Sequence, residues 1–338
     1  MKNGTMKDVA RTAGVSVSTV SNVLNGLGSS FKTRERVLNA AAKLHYSPNV
    51  FARNMRAHRT KCLGIVVERR MDEENPWMQQ LVMMLIGQIS GPGCDYQVLV
   101  EFWDASSETM PRLLNSVDGI VHLGHFPDSF FAQLDQVFGK PCITYVERSS
   151  SRHGLSLFRG TEGMQRALEH LLALGHERVA FVISDLDCET QMRRLDEYRQ
   201  SFAFYRRDVP EDLLVTLPEM SSQHSAAAFE RTAELLEQHD DVTAIIFASD
   251  VLALGGVEAI RDSERRIPDD ISIVSFDDTT WAKCHFPPIT SVGFDVRILA
   301  QRLHNNLISM IERGCPVDAE VPLAHELYVR GSTAAPRT

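Results

Sequence analysis

Cysteine is scarce in this chain and never clustered. Cys62, Cys94, Cys142, Cys188, Cys284 and Cys315 are scattered over 338 residues, with no Cys-x-x-Cys pair. That spacing excludes a disulfide-stapled scaffold and a zinc ribbon, and leaves the thiols as reduced, mostly buried small hydrophobes. Long apolar runs are missing too, since none reaches the ~18 residues that a membrane-spanning helix requires. Polar Lys2 and Asn3 stand where a signal peptide would lead into its apolar core, so a cytoplasmic protein with no membrane contact is expected. No internal repeat or low-complexity tract appears, and Val329 to Thr338 lacks the leucine heptads of a tetramerising tail.

What is present is size and a lopsided charge. A chain of 338 residues is too long for one typical core, which points to two or three domains. The net charge of −9 conceals a division: residues 1–61 hold 11 Lys and Arg against only Asp8 and Glu35, a balance of +9, and the remainder carries −18. A basic head on an acidic body is the footprint of a nucleic-acid binder that keeps its body away from phosphates. A merely solvated basic arm is the plainer reading.

Local pattern sharpens the choice. Thr5 can cap a first helix, with Asp8 reaching back as in a capping box and Met6, Val9, Ala10 and Ala13 on one face. Gly14 ends that helix, and Ser16 caps a second one. At 100° per residue Val20, Val23 and Leu24 share one side while Ser18, Ser21 and Asn22 lie opposite. An exposed face of hydroxyls and an amide suits base edges in a groove about 12 Å wide. A surface helical hairpin of any soluble domain fits the periodicity equally well. Thr33 is expected to cap a third helix running to about His45, with Val37, Leu38, Ala41 and Leu44 as its packed stripe.

The runs Lys7-Asp8-Val9-Ala10, Ala13-Gly14-Val15-Ser16, Thr19-Val20-Ser21 and Val23-Leu24-Asn25 closely resemble the DNA-binding segment of the LacI/GalR family of bacterial transcription regulators. The resemblance implies a homodimer on a pseudo-palindromic operator, with Thr5, Ser16, Val17, Ser18, Thr19, Ser21, Asn22 and Asn25 at the DNA. The family usually carries a long polar or basic residue where Asn22 stands, so the operator should differ from the commonest one. Val50 to Arg56 resembles the family's hinge helix, which orders over the minor groove and inserts an apolar wedge. Here Met55 takes the wedge position, with Arg53 beside it. An ordinary basic linker with one buried Met is the plainer alternative.

From Cys62 onward apolar strands alternate with amphipathic helices, the signature of βαβ units and a mostly parallel sheet. The helix from Pro76 to about Ser90 is apolar nearly all round through Leu81, Val82, Met83, Met84, Leu85 and Ile86. One sheet cannot cover such a helix, so it is expected to meet both its own sheet and a partner subunit, unless it is fully internal. His170-Leu171, Leu174-Gly175-His176, Asp250 with Leu252-Ala253-Leu254-Gly255, Ile267 to Ser272 and Phe276-Asp277-Asp278 resemble further landmarks of the same family. By that likeness the fold is α/β: a three-helix helix-turn-helix headpiece (1–48), a hinge (49–61), and a body (62–338) of two Rossmann-like subdomains of the periplasmic-binding-protein type. The N-subdomain would take about 62–159 and 294–324, and the C-subdomain about 160–293 and 325–333.

Ligands of doubly wound sheets sit beyond the carboxyl ends of strands, which nominates Asp250, Asp277 and Asp278, with Arg194 on a helix. Such groups bind sugar hydroxyls bidentately, and the family uses the matching positions in that way. Asp278 can equally cap the following turn. Two departures stand out: an Asp-Asn pair of the family appears here as Arg159-Gly160, and an Asn before Asp250 as Ser249. Arg suits phosphate or carboxylate, so the effector is expected to be a sugar, sugar phosphate or acidic sugar held by Arg159, Arg194, Ser249, Asp250 and Asp277. Adjacent carboxylates could serve a glycosidase, and His122 with His125 invites a metal reading. With no catalytic motif and no third ligand in view, neither an enzyme, a metal nor a cofactor is expected.

Overall fold

A computed structural model describes residues 4–24, 28–46, 59–69, 75–104, 110–124, 126, 128–145, 154–155, 162–184, 189–217, 224–315 and 323–337. The chain divides into two compact units, Met1–Thr60 and Lys61–Thr338. Asn25, Arg53, Met55, Arg159 and His125 fall outside the described residues.

The first unit is built on α1 (Met6–Ala13), α2 (Val17–Leu24) and α3 (Phe31–Lys43). Thr5 and Asp8 close a capping box at the start of α1, satisfying two backbone donors that a helix end otherwise leaves orphaned. Gly14 ends α1 at φ 62°, a left-handed conformation that costs a residue bearing a Cβ. Val9, Ala10, Ala13, Val20, Val23, Val37, Ala40 and Ala41 form one small core. The third helix starts earlier than its pattern predicts: Ser30, not Thr33, is the cap, its hydroxyl accepting from the Thr33 amide at 3.3 Å. The apolar stripe begins only at Val37, so periodicity is silent about the exposed first turns. Leu38 is 46% exposed and Ala40 takes its place in the core.

The second unit holds two sheets. In the first, β1 (Cys62–Glu68), β2 (Gln97–Trp103), β3 (Gly119–Leu123), β4 (Cys142–Tyr145) and β5 (Gly154–Leu155) run in the order β2-β1-β3-β4-β5, all parallel. Helices α4 (Pro76–Ile89) and α5 (Asp128–Val137) belong to it. The chain then builds α6 (Glu162–Leu174), β6 (Val179–Ile183), α7 (Glu189–Phe204), β7 (Leu214–Thr216), α8 (His224–Gln238), β8 (Ala244–Phe247), α9 (Asp250–Asp262), β9 (Ser272–Phe276), α10 (Thr280–Cys284) and β10 (Thr290–Gly293). With β11 (Glu326–Tyr328) the second sheet reads β11-β10-β9-β8-β6-β7. Only β11 is antiparallel to its neighbour.

Between β10 and β11 the chain returns to the first sheet as α11 (Val296–Arg313), which packs on α4, β3 and β4. On α4, Met78, Leu81, Leu85 and Ile89 are buried while Met83 is 64% exposed, so the helix is not internal. Leu99, Val100 and Phe102 are also exposed on β2, the edge strand of its sheet. Apolar side chains along an open edge ask for a covering surface. His122 of β3 is wholly buried among Phe126, Phe130 and Phe131, at ring distances of 5.3, 5.3 and 5.8 Å.

Candidate functional site

In the first unit the candidate site is the outer face of α2. The Ser16 hydroxyl accepts from the Thr19 amide at 3.1 Å and lies 2.7 and 2.8 Å from the hydroxyls of Ser18 and Thr19. Ser16 and Thr19 therefore fix the helix start. Thr5 is committed in the same way, donating to the Asp8 carboxylate at 2.6 Å, and these bonds hold the Asp8 carboxyl below the usual range. Val17, 42% exposed, stands outward with Ser18 and Asn22, and Ser21 is half-buried at the edge of that surface. Packing of Val20 and Val23 into the core decides which side of α2 is left facing out.

In the second unit the sequence-nominated residues meet around the turn after β9. Arg194 of α7 donates to Asp277 Oδ1 at 3.0 Å, donates to the Ala248 carbonyl, and stacks over the Phe276 ring at 4.9 Å. The side chains of the pair are only 15% and 20% exposed. Asp277 and Asp278 adopt φ of 99° and 49°, strained values for side chains that carry a Cβ. Gly293 makes room for them, since a Cβ there would come within 2.5 Å of Asp278 Cβ. Asp278 is structural, paired with Arg330 and, at 2.9 Å, with Lys283.

Asp250 corrects the expectation of a carboxylate open to ligand. It is 1% exposed. One of its oxygens accepts from the hydroxyls of Ser275 and Ser291, and the other from the amide and hydroxyl of Thr279, both at 2.7 Å. As the first residue of α9 it is drawn into the protein by donors from β9, β10 and the turn between β9 and α10. Burial, and then the nearby Asp277 charge, push its carboxyl up to about 6. Ser249 caps α9, accepting from the Leu252 amide at 3.3 Å.

An aromatic run completes the surroundings of Arg194. Trp77 meets Phe294 edge-on at 5.9 Å, and Phe294 meets His325 at 5.5 Å. Burial, and then the charges of Arg194 and Arg193, drive the His325 imidazole down to about 4. The ring is therefore neutral near pH 7. Trp77, Phe294 and His325 come from the start of α4 and the connections flanking α11, so no local motif announces them. The arrangement sets a mostly buried Arg–Asp ion pair near aromatic rings, side-chain types that hold polyols.

Residues 5–49 match the family described as bacterial regulatory proteins, lacI family, and residues 168–333 match the periplasmic binding protein-like domain. Over nearly its whole length the chain is similar to curated regulators. It is 28% identical to the HTH-type transcriptional regulator DegA of Bacillus subtilis (strain 168), covering 98% of each chain. It is 28% identical to the lactose operon repressor of Escherichia coli (strain K12), covering 100% of this chain and 93% of that one. Among solved structures, the Lac repressor dimer bound to operator and the anti-inducer ONPF superimposes with a TM-score of 0.81 at 26% identity, covering 99% and 100% of the two chains. The transcriptional regulator CelR in complex with cellobiose gives 0.68 at 27%, covering 97% and 99%.

Over nearly its whole length the chain is thus similar to LacI-family regulators. Its headpiece match contains Thr5 through Asn25 and ends before Arg53 and Met55, and the match to the body contains Arg194, Ser249, Asp250 and Asp277 but begins after Arg159. The two matches join a lacI-type segment and a periplasmic-binding-protein-like body in one chain. No helix among the described residues is long and apolar enough to cross a membrane.

Proposed function

We propose that this chain is a LacI-family regulator, a cytoplasmic repressor that binds a pseudo-palindromic operator as a homodimer and responds to a sugar-type effector. The observation that carries the reading is the outward face of α2, with Val17, Ser18 and Asn22 exposed on a unit whose sequence is strongly basic. Basic charge supplies phosphate affinity, and a short polar face supplies base discrimination. Thr5, Ser16 and Thr19 set that face and Ser21 flanks it; Asn25, Arg53 and Met55 are assigned to the DNA, the last two to the minor groove.

The exposed Met83 on α4, with Leu99, Val100 and Phe102 on β2, is the surface assigned to the second copy. The effector binds against Arg194 and Asp277, with Ser249 at the rim and Asp250 holding the floor. Arg159 is assigned to an anionic group, which favours a sugar phosphate or acidic sugar over a neutral one. No catalytic role is assigned to any of these groups.

Selection from a randomised duplex library tests the DNA reading. Intact protein should enrich one palindromic sequence, and residues 61–338 alone should enrich none. Enrichment of nothing by the intact protein overturns it. For the effector, an acidic sugar should raise the melting temperature by mass action while its neutral counterpart does not. If Arg159→Ala leaves that rise in melting temperature unchanged, the assignment of Arg159 is wrong.

A further inference from the structure

We infer that Arg36 of α3 is a positioning residue for base reading: its guanidinium clamps the end of α1 and thereby sets the angle at which α2 is presented. The inference rests on the operator-binding reading above and adds a residue that charge pattern alone would assign to a phosphate.

A helix ends with carbonyls that have no partner inside it. At the end of α1 the amides of Gly14 and Val15 turn back to the carbonyls of Ala10 and Arg11. Ala13 O, the last carbonyl of the helix, and Gly14 O, the first beyond it, point elsewhere. Arg36 Nη2, 23 positions along the chain, donates to Ala13 O, and it reaches Gly14 O at 3.2 Å. A cation at a helix C-terminus also meets the negative end of the macrodipole.

Geometry ties this contact to α2. Gly14 is left-handed at φ 62°, and a Cβ there would lie 2.8 Å from Arg36 Nη2, so the glycine admits both the turn and the clamp. Two residues later Ser16 caps α2. Val37, next to Arg36, is wholly buried in the headpiece core and anchors the clamp to α3. The segment carrying Ala13 and Gly14 is thus held from outside at the point where the chain changes direction. Without the guanidinium the turn keeps its own backbone bonds and the apolar packing of Ala13 but loses its hydrogen bonds to α3, and Ser18 and Asn22 shift together against the base edges.

Salt dependence and base preference separate this role from a phosphate contact and from simple stabilisation. The probe is the duplex that wild-type protein enriches from a randomised library, titrated against full-length Arg36→Ala and Arg36→Lys over a range of salt. Losing the charged donor should weaken binding about tenfold, relax preference at the base pairs under α2, and leave the slope of log K against log salt at its wild-type value. Arg36→Lys, which keeps the charge and one donor, should recover part of both affinity and preference.

A loss of affinity with unchanged preference and a slope shallower by about 0.9 marks a phosphate contact and overturns the inference. So does a loss equal for all sequences with the slope unchanged, which marks a smaller folded fraction. Wild-type behaviour of Arg36→Ala overturns it as well. If circular dichroism shows that Arg36→Ala loses headpiece helix, Arg36→Lys decides: relaxed preference at unchanged slope supports the role, and wild-type preference refutes it. Failure of the wild-type protein to enrich any duplex would instead defeat the operator reading itself.

Discussion

Replacing Arg194 by Ala should unbalance the second unit in a way that depends on pH. The substitution leaves the Asp277 carboxylate, four-fifths buried, without the guanidinium 3.0 Å away, and it also removes a charged donor from the Ala248 carbonyl and a cation from the face of Phe276. Breaking a buried ion pair by removing one partner costs about 3–5 kcal/mol, because the survivor stays desolvated and unpaired. Partial exposure of both groups argues for the lower half, and the lost carbonyl bond and ring contact push the other way, so about 4 kcal/mol is expected near neutral pH.

Burial already raises the Asp277 carboxyl, and Arg194 is the strongest influence pulling it back. In the variant its folded value therefore moves further above the unfolded one. A group raised in this way contributes stability that is full below its unfolded value and lost as pH rises through its folded value. The penalty should therefore shrink as pH is lowered from neutral to mildly acidic, by about 1.4 kcal/mol for each tenfold change in proton affinity. Urea unfolding of the second unit at neutral and at mildly acidic pH measures this, with Arg194→Met/Asp277→Asn as the partner variant in which no unpaired charge remains. The double variant should regain most of the loss. A cost below about 1 kcal/mol, a loss that ignores pH, or a double variant no more stable than Arg194→Ala would each refute the argument.

Three further outcomes follow from single contacts. Gly293→Ala places a Cβ 2.5 Å from Asp278 Cβ and 3.2 Å from the Asp277 carbonyl group; it should cost about 1–3 kcal/mol in denaturant titrations and abolish the rise in melting temperature given by effector. His325 is held near 4 against an ordinary 6.5, so its neutral ring contributes stability that is full above about pH 6.5 and lost as pH falls towards 4. The gap between wild type and His325→Phe should therefore vary by up to about 3 kcal/mol over that window, and a constant gap would show that the ring does not titrate as argued. Asn22→Ala should lower discrimination by about 1–3 kcal/mol at one base pair per half-site, measured as a change in base preference, and an unchanged preference would remove Asn22 from the reading face.

Much of this protein is decided by local physics and is legible in the residues. Capping by Thr5 and Ser16, the break at Gly14 and the 3.6-residue spacing of Val20 and Val23 depend on neighbours a few positions apart, so they mark α1, α2 and the apolar side of α2 in the sequence itself, and packing against α3 then buries that side. The alternation of apolar runs with amphipathic helices likewise set the α/β class, and the ends of β8 and β9 marked where Asp250 and Asp277 would emerge. Tertiary structure alone decided how each of those carboxylates is partnered. Asp250 is consumed by Ser275, Ser291 and Thr279, whose donors lie 25 to 41 positions away. Asp277 keeps its place beside Arg194 from a different helix, 83 positions distant. Arg36 looked like one more basic residue until α3 packed against the end of α1, and His325 like any other histidine until Phe294 and the Arg193–Arg194 charges surrounded it. Hydrogen-bond saturation, burial and field are sums over neighbours in space, and folding brings those neighbours together from distant parts of the chain.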